Sequence, residues 1–118
     1  MEKNIEVSLL LDFYGELLKP SGRYAVDLYY NDDLSLAEIA DDMGITRQGV
    51  RDSIKRAEQQ LFEFEKKLGL LARFQQLEYG LDEISKTARE IVNTTNDINI
   101  RPLALCIEQK AGELKEKE

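Results

Sequence analysis

Apolar residues recur at helical spacing along most of this chain. The first segment, from Asn4 to Leu18, carries an apolar stripe that predicts an amphipathic helix. The stripe consists of Ile5, Leu9, Leu10, Phe13, Tyr14, Leu17 and Leu18. Pro20 ends this helix, because proline lacks an amide donor and disfavours helical backbone in the residue before it. We expect Ser21 to cap a second, short helix with the apolar positions Tyr24, Ala25, Leu28 and Tyr29.

The segment from Ser35 to Ile54 predicts two helices joined by a tight turn. Ser35 and Glu38 have the spacing of a capping box, which opens a helix from Leu36 to Asp42. Gly44 supplies the positive φ of the turn, and Thr46 caps the next helix. We expect Ile45 to fill the gap between the helices, whose inner faces are Leu36, Ile39, Ala40, Val50 and Ile54. This pattern is that of a helix-turn-helix.

The helix that begins at Arg47 has the strongest periodicity in the chain. Its apolar positions alternate in steps of four and three: Val50, Ile54, Ala57, Leu61, Phe64, Leu68 and Leu71. Gly69 ends or kinks this helix, which we predict to span Arg47 to Leu68. The seam is covered either within the chain, by the N-terminal and C-terminal helices, or by a second copy. We favour a homodimer that uses the long helix and the C-terminal segment.

Two further helices follow, separated by a loop from Asn93 to Asn99. The first has apolar residues at Leu81, Ile84, Ala88 and Ile91, and the second, beyond Pro102, has them at Leu103, Cys106, Ile107, Ala111 and Leu114. No stretch alternates convincingly with period two. The fold class is therefore all-α, a small helical bundle in which residues 1–70 form a helix-turn-helix domain. Residues 71–118 form a C-terminal helical extension for packing or dimerisation, within what is a single domain overall.

Composition limits the chemistry that the chain can perform. The 118 residues include no histidine and one cysteine, so an imidazole base, a histidine-bound metal and a disulfide framework within the chain are excluded. The acidic pairs Asp32-Asp33 and Asp41-Asp42 suit a turn and a helix surface better than a metal or acid–base site. Cys106 is expected to be a small core residue, and Tyr24, Tyr29 and Tyr30 to lie at the edge of the core. We therefore predict no enzyme activity and no cofactor or metal.

The charge distribution indicates where a partner would bind. The whole chain has a net charge of −7, which disfavours general attraction to phosphate. Between Thr46 and Arg56, however, four cations stand against the single acid Asp52. In a helix-turn-helix the start of the second helix enters the major groove, where Arg and Gln read base edges. The candidate DNA-binding residues are Thr46, Arg47, Gln48, Arg51, Lys55 and Arg56. Gly49, inside the same helix, either permits close backbone approach to DNA or frays the helix tip.

The chain resembles the YlxM-type proteins of Gram-positive bacteria. The resemblance rests on Tyr29–Ala40, Gly44–Val50 and Ile54–Glu58, with a similar first helix at Phe13–Leu18, and covers residues 8 to 70. The family usually has alanine at the position of Gly49. The resemblance implies a helix-turn-helix like that of sigma factor region 4, with a winged-helix-like three-helix core. It also implies DNA binding and, from the genes that accompany the family's own, a link to the signal recognition particle pathway.

Two functions follow as hypotheses. The first is a DNA-binding regulatory protein that acts in or on the signal recognition particle pathway. The alternative is an adaptor that binds a component of that particle or its RNA without sequence-specific DNA binding, and its acidic surfaces would contact a basic partner such as a component of the particle. The chain has no apolar run long enough to cross a bilayer and no secretory signal, so we expect a cytoplasmic protein that does not insert into a membrane.

Overall fold

A computed structural model of the chain describes residues 2–116. Six α-helices and one 3-10 turn make up this part, which contains no β-strand. The helices are α1 (Lys3–Tyr14), α2 (Pro20–Tyr30), α3 (Leu36–Met43), α4 (Arg47–Leu68), α5 (Leu70–Thr94) and α6 (Ile100–Glu116), and the 3-10 turn is Gly15–Leu17. The all-α prediction is confirmed.

The chain divides into two compact units, Met1–Leu71 and Ala72–Glu118. In the N-terminal unit, α1, α2 and α3 each pack against α4. Their shared core is Val7, Leu10, Leu11, Tyr14, Leu18, Ala25, Val26, Ile39, Ala40, Val50, Ile54, Ala57, Leu61 and Leu71. The apolar seam of α4 is therefore covered within the chain from Val50 to Leu61, whereas Leu68 near its end is exposed.

The first helix presents most of the predicted stripe to the core: Leu10, Tyr14 and Leu18 are buried, and Leu9 and Phe13 pack against the core. It ends at Tyr14, and the inner positions are Val7, Leu10, Leu11 and Tyr14. Ile5 and Leu17, expected in the stripe, are 50% and 59% exposed. The reason is geometric: residues taken in steps of four advance by 400° rather than a full turn, so the stripe rotates away from the core.

The second helix begins two residues earlier than a Ser21 cap would give. Pro20 is its first residue, where the missing amide and the fixed φ of proline cost nothing, and Ser21 does not cap it. Gly22, Ala25 and Val26 face the core. Tyr24 and Tyr29 are exposed rather than at the core edge, whereas Tyr30 packs against the core.

The α4 prediction, Arg47 to Leu68, agrees with the structure at both ends. Gly69 ends the helix with a φ of 64°, and α5 begins at the next residue. Two side-chain oxygens hold this junction: the Leu70 amide donates to the Tyr14 hydroxyl at 3.0 Å and the Leu71 amide to Glu65 Oε1 at 3.0 Å. These bonds give acceptors to the first amides of α5, which have no acceptor within their own helix.

The C-terminal unit is a hairpin of α5 and α6. The connecting loop is shorter than expected, because α5 continues through Thr94. Pro102 lies in the first turn of α6, where no amide donor is needed. The buried apolar residues of the hairpin are Ala88, Val92, Ala104 and Ala111. Cys106 is exposed, which corrects its assignment to the core.

Candidate nucleic-acid interface

Helix α3 begins with the capping box that the sequence predicts. The Glu38 amide donates to Ser35 Oγ at 3.1 Å, and the Ser35 amide donates to Glu38 Oε1 at 3.0 Å. The bond from the Ser35 amide lowers the pKa of the Glu38 carboxyl, because it stabilises the ionised carboxylate. The start of α3 is thus determined by two residues that are three positions apart in the sequence.

The turn between α3 and α4 depends on Gly44. Its φ of 69° lies in the left-handed region that favours glycine. Both the Gly44 amide and the Ile45 amide donate to the Ala40 carbonyl, at 2.9 and 3.1 Å. Ile45 is 43% exposed, so the prediction that it fills the gap between the helices is wrong. Ile39, Ala40, Val50 and Ile54 are buried and close the two helices on each other.

Helix α4 begins at Thr46, as predicted. The Thr46 hydroxyl accepts a hydrogen bond from the Gly49 amide at 2.9 Å. A Cβ added at Gly49 would lie 3.2 Å from that same Thr46 Oγ1. Gly49 therefore relieves crowding at the cap, a role that neither of the two sequence interpretations included.

The candidate DNA-binding residues lie on the outer face of the first three turns of α4. All of them are exposed. Apart from Thr46, which caps the helix, they lie together with Asp52 in two rows, because every fourth residue of a helix lies on one side. One row is Arg47, Arg51 and Lys55, and the other is Gln48, Asp52 and Arg56. The inner face of the same turns is buried at Val50 and Ile54, so the exposed face is turned away from the core.

The four cations of this face have no acidic partner in the described part of the chain. The ion pairs within 4.0 Å among residues 2–116 involve Lys3, Lys67, Lys86, Arg89 and Lys115 instead. Gln48 does have a partner, since its Nε2 donates to Asp52 Oδ1 at 3.0 Å. The positive charge of Arg47, Arg51, Lys55 and Arg56 is thus uncompensated, whereas the Gln48 amide group is held along the helix.

Glu58 lies one turn after Lys55, beside the candidate interface, and the sequence analysis missed it. It is only 9% exposed and accepts a hydrogen bond from the Tyr30 hydroxyl, while Lys3 Nζ lies 3.2 Å from its other oxygen. Burial, followed by the bond to Glu58, raises the pKa of Tyr30 above its ordinary range. The three side chains link α1, α2 and α4, and so position α4 one turn beyond Lys55. The available signal in the sequence was that Glu58 directly follows Ala57, a position of the apolar seam.

No group of three or more His, Cys, Asp or Glu side chains in residues 2–116 is arranged to hold a metal ion. Nor is any helix in that part of the chain both long and apolar enough to cross a bilayer.

The bihelical unit of α3 and α4, with its capping box, left-handed glycine and capped second helix, defines a helix-turn-helix protein. Comparison with known proteins agrees. The family described as "Putative helix-turn-helix protein, YlxM / p13 like" matches residues 1–100, and the chain belongs to this family. The match extends beyond Leu71, further along the chain than the resemblance seen in the sequence.

Relatives from several bacteria carry the name UPF0122 protein. The protein of Acetivibrio thermocellus is 40% identical over 116 residues, which are 98% of this chain and 99% of the relative. That of Thermoanaerobacter sp. (strain X514) is 43% identical over 110 residues, covering 93% and 92% of the two chains. That of Exiguobacterium sibiricum is 44% identical over 86 residues, or 73% and 81%.

Proposed function

We propose that this protein binds double-stranded DNA by placing the first turns of α4 in the major groove. The observation that carries the proposal is the outer face of α4, where four exposed cations lack acidic partners within the described residues. DNA binding by an acidic protein requires such a local concentration of positive charge, because phosphate contacts supply most of the affinity.

The position of each side chain along α4 suggests its part in binding. Arg47 and Gln48 lie at the helix N-terminus, which is the end that approaches base edges in this motif. Arg suits guanine and Gln suits adenine, each through two hydrogen bonds. Arg51, one turn on, lies in the same row as Arg47. Lys55 and Arg56, further from the helix start, are suited to phosphate contacts that set the orientation on the duplex.

Thr46 and Gln48 already make hydrogen bonds within the first turns of α4, and these bonds limit how each side chain could contact DNA. The Thr46 oxygen already accepts the Gly49 amide, so its hydroxyl hydrogen remains to donate to a phosphate. The Gln48 Nε2 donates to Asp52. This bond uses one of the two Nε2 hydrogens and holds the side chain along the helix, so it opposes any turn of Gln48 toward a base edge.

The proposal is tested by fluorescence anisotropy with labelled mixed-sequence duplex DNA over a salt series. We expect binding that weakens steeply between about 50 and 200 mM salt, with a log–log slope of about −0.9 for each phosphate contacted. Arg51→Ala should weaken binding and lower the slope by about one contact. Lys67→Ala is the matched control, since Lys67 is exposed at the far end of α4 and pairs with Glu63. Binding that is insensitive to salt and to Arg51→Ala would overturn the proposal.

We further propose that the DNA-binding role is regulatory and lies in the signal recognition particle pathway, which places the protein in the cytoplasm. This part rests on the family resemblance. It predicts that transcripts of genes for that pathway change when the protein is deleted, and that Arg47→Glu with Arg51→Glu reproduces the change. Unaltered transcripts on deletion would contradict the regulatory role.

The adaptor function is the second candidate, and the acidic surface near α3 favours it. Asp32, Asp33, Asp41 and Asp42 are all exposed, and only Asp42 has a side-chain partner, the Tyr24 hydroxyl at 2.5 Å. Such a surface would attract a basic protein component of the particle. Co-purification that survives Arg47→Glu with Arg51→Glu, and is lost on Asp41→Lys with Asp32→Lys, would favour the adaptor over DNA binding.

A further inference from the structure

The C-terminal hairpin exposes an apolar stripe on each of its two helices. On α5 the stripe recurs at every seventh residue as Leu77, Ile84 and Ile91, and on α6 as Ile100, Ile107 and Leu114. These six side chains are each 38–49% exposed. We call the surface that they form the aliphatic face. Scattered exposed apolar residues are ordinary, but a regular stripe on both helices is the mark of a surface that another helix covers.

The two stripes lie on the same side of the hairpin. Ion pairs set the antiparallel register, with Lys115 Nζ 3.3 Å from Asp82 and Arg89 3.3 Å from Glu108. The two stripes are staggered along this register rather than level: Ile107, next to Glu108, comes near the level of Glu90 and so lies beside Ile91, and the stripes meet in the middle of the hairpin. A groove of about 280 Å³ confirms the middle of this arrangement, since Ile84, Ile91 and Ile107 line it together.

The hairpin buries too little apolar surface to complete its own core. Of its four buried apolar residues, three are alanines. Two helices of this size need a further layer for independent stability, which small helical units commonly obtain by association. The aliphatic face offers apolar surface for such a layer, and Leu103, 66% exposed, extends it on α6.

The charges beside the aliphatic face indicate that its partner is a second copy of the same hairpin. Glu83 and Glu90 are exposed on the outer edge of α5, and Lys110 is exposed on the outer edge of α6. If two aliphatic faces pack about a two-fold axis parallel to the helices, α5 of one copy lies over α6 of the other, antiparallel to it. The Asp82–Lys115 pair puts Glu83 level with residue 114, so the partner subunit's Lys110 lies four residues, or about 6 Å along the axis, from that level. Opposite charges therefore meet at both symmetry-related edges.

We propose that this protein is a homodimer whose interface is the aliphatic face, an antiparallel four-helix bundle of two α5–α6 hairpins. The dimer pairs α5 of each copy with α6 of the other and leaves α4 out of the interface, since the seam of α4 is occupied by α1 and α2. This differs from the sequence expectation, in which the long helix takes part. The dimer does not depend on DNA binding, although it would present two α4 helices to two half-sites.

The mass of the full chain in solution tests the proposal, measured by light scattering and sedimentation without DNA. We expect twice the chain mass of 13.6 kDa. Ile84→Glu and Ile107→Glu should each give the monomer mass while the helical circular dichroism of the N-terminal unit persists. Leu105→Glu is the matched control: Leu105 is 41% exposed and lies about 200° around α6 from Ile107, so this variant should stay dimeric.

Charge exchange tests the pairing of α5 with α6. Glu83→Lys should raise the dimer dissociation constant about tenfold, and Lys110→Glu added to it should restore the wild-type value. Monomeric wild type at about 0.1 mM, a concentration at which even a weak interface associates, would overturn the proposal. So would a dimer that survives Ile84→Glu and Ile107→Glu. Arg51→Ala should remain dimeric, so failure of DNA binding and failure of the dimer are separate results.

Discussion

The Tyr14 hydroxyl, at the end of α1, donates a hydrogen bond to Glu65 Oε1 in the last turn of α4 at 2.6 Å. Tyr14 is 1% exposed, and its ring also packs on Phe64 with centroids 5.8 Å apart. The same hydroxyl accepts from the Leu70 amide and the same carboxylate accepts from the Leu71 amide. One pair of side chains thus joins α1 to α4 and satisfies the first amides of α5.

Removing this hydroxyl should destabilise the protein. In Tyr14→Phe the Leu70 amide loses its acceptor in a part-buried place, so we expect a loss of about 1–3 kcal/mol in the free energy of unfolding. Urea denaturation followed by circular dichroism measures it. Tyr79→Phe is the control, because Tyr79 is 71% exposed and should leave the free energy unchanged. Equal stability of the two variants would contradict the role given to Tyr14.

Stability should fall in alkaline solution through Tyr14 and Tyr30. Burial raises the pKa of both phenols above the ordinary 10.0, with further contributions from Glu65 and Glu58. A group with a raised pKa in the folded state stabilises fully below its unfolded pKa and loses that contribution as the pH rises through the folded value. The free energy of unfolding should therefore decline above about pH 10, and less steeply in Tyr14→Phe with Tyr30→Phe. Identical slopes in wild type and double variant would refute this.

The cap of α4 should matter for both folding and binding. Thr46→Ala removes the acceptor of the Gly49 amide, and loss of such a cap costs about 1 kcal/mol. We expect reduced thermal stability together with weaker DNA binding, because the frayed turn carries Arg47 and Gln48. Thr46→Ser keeps the hydroxyl and should retain both properties. A Thr46→Ala protein with wild-type stability would show that the cap is not needed.

Two glycines of the helix-turn-helix should respond in opposite directions to alanine. Gly44 has a φ of 69°, so Gly44→Ala should destabilise by about 1 kcal/mol. Gly49 lies in regular helix, where alanine is favoured by about 1 kcal/mol. The 3.2 Å approach to Thr46 Oγ1 reduces this gain, so Gly49→Ala should stabilise by less. Chemical denaturation of the two variants measures both changes in stability. A loss of stability in Gly49→Ala would mean that the Thr46 side chain cannot move to make room for the added Cβ.

Asp52 should weaken DNA binding in the wild type. It is the lone acid among residues 46–56 and holds Gln48 along the helix. Asp52→Asn removes a repelling charge from the proposed interface, so affinity measured by anisotropy should rise about three- to tenfold at low salt and less at high salt. Asp97→Asn, in the loop before α6, provides the comparison and should have no effect. An unchanged affinity in Asp52→Asn would place this face of α4 away from the DNA.

Local signals predicted the helix-turn-helix well. The capping box at Ser35, the left-handed Gly44, the Thr46 cap and the end of α4 before Gly69 are all present in the structure. Each depends on residues a few positions apart, so the sequence contains the whole interaction. The same reasoning placed the candidate DNA-binding residues on the exposed side of α4, because the buried positions Val50 and Ile54 define the opposite side.

Errors occurred where distant segments meet. The sequence alone did not reveal that Ile45 is exposed, that α1 turns Val7 rather than Ile5 inward, or that Cys106 is exposed. It also did not pair Tyr14 with Glu65 or Tyr30 with Glu58, whose partners are 51 and 28 residues apart. Periodicity fixes the width of an apolar stripe but leaves its rotation about the helix axis to the neighbours that pack against it.

By itself, then, the sequence determined the all-α class, the helix-turn-helix and the local excess of positive charge on α4, because caps, turns and charge are properties of short segments. Only the tertiary structure decided that α1 and α2 cover the seam of α4 and that the hairpin leaves its aliphatic face uncovered. The physical reason is that burial is a relation between helices: an apolar stripe looks the same in sequence whether its partner lies in the same chain or in another.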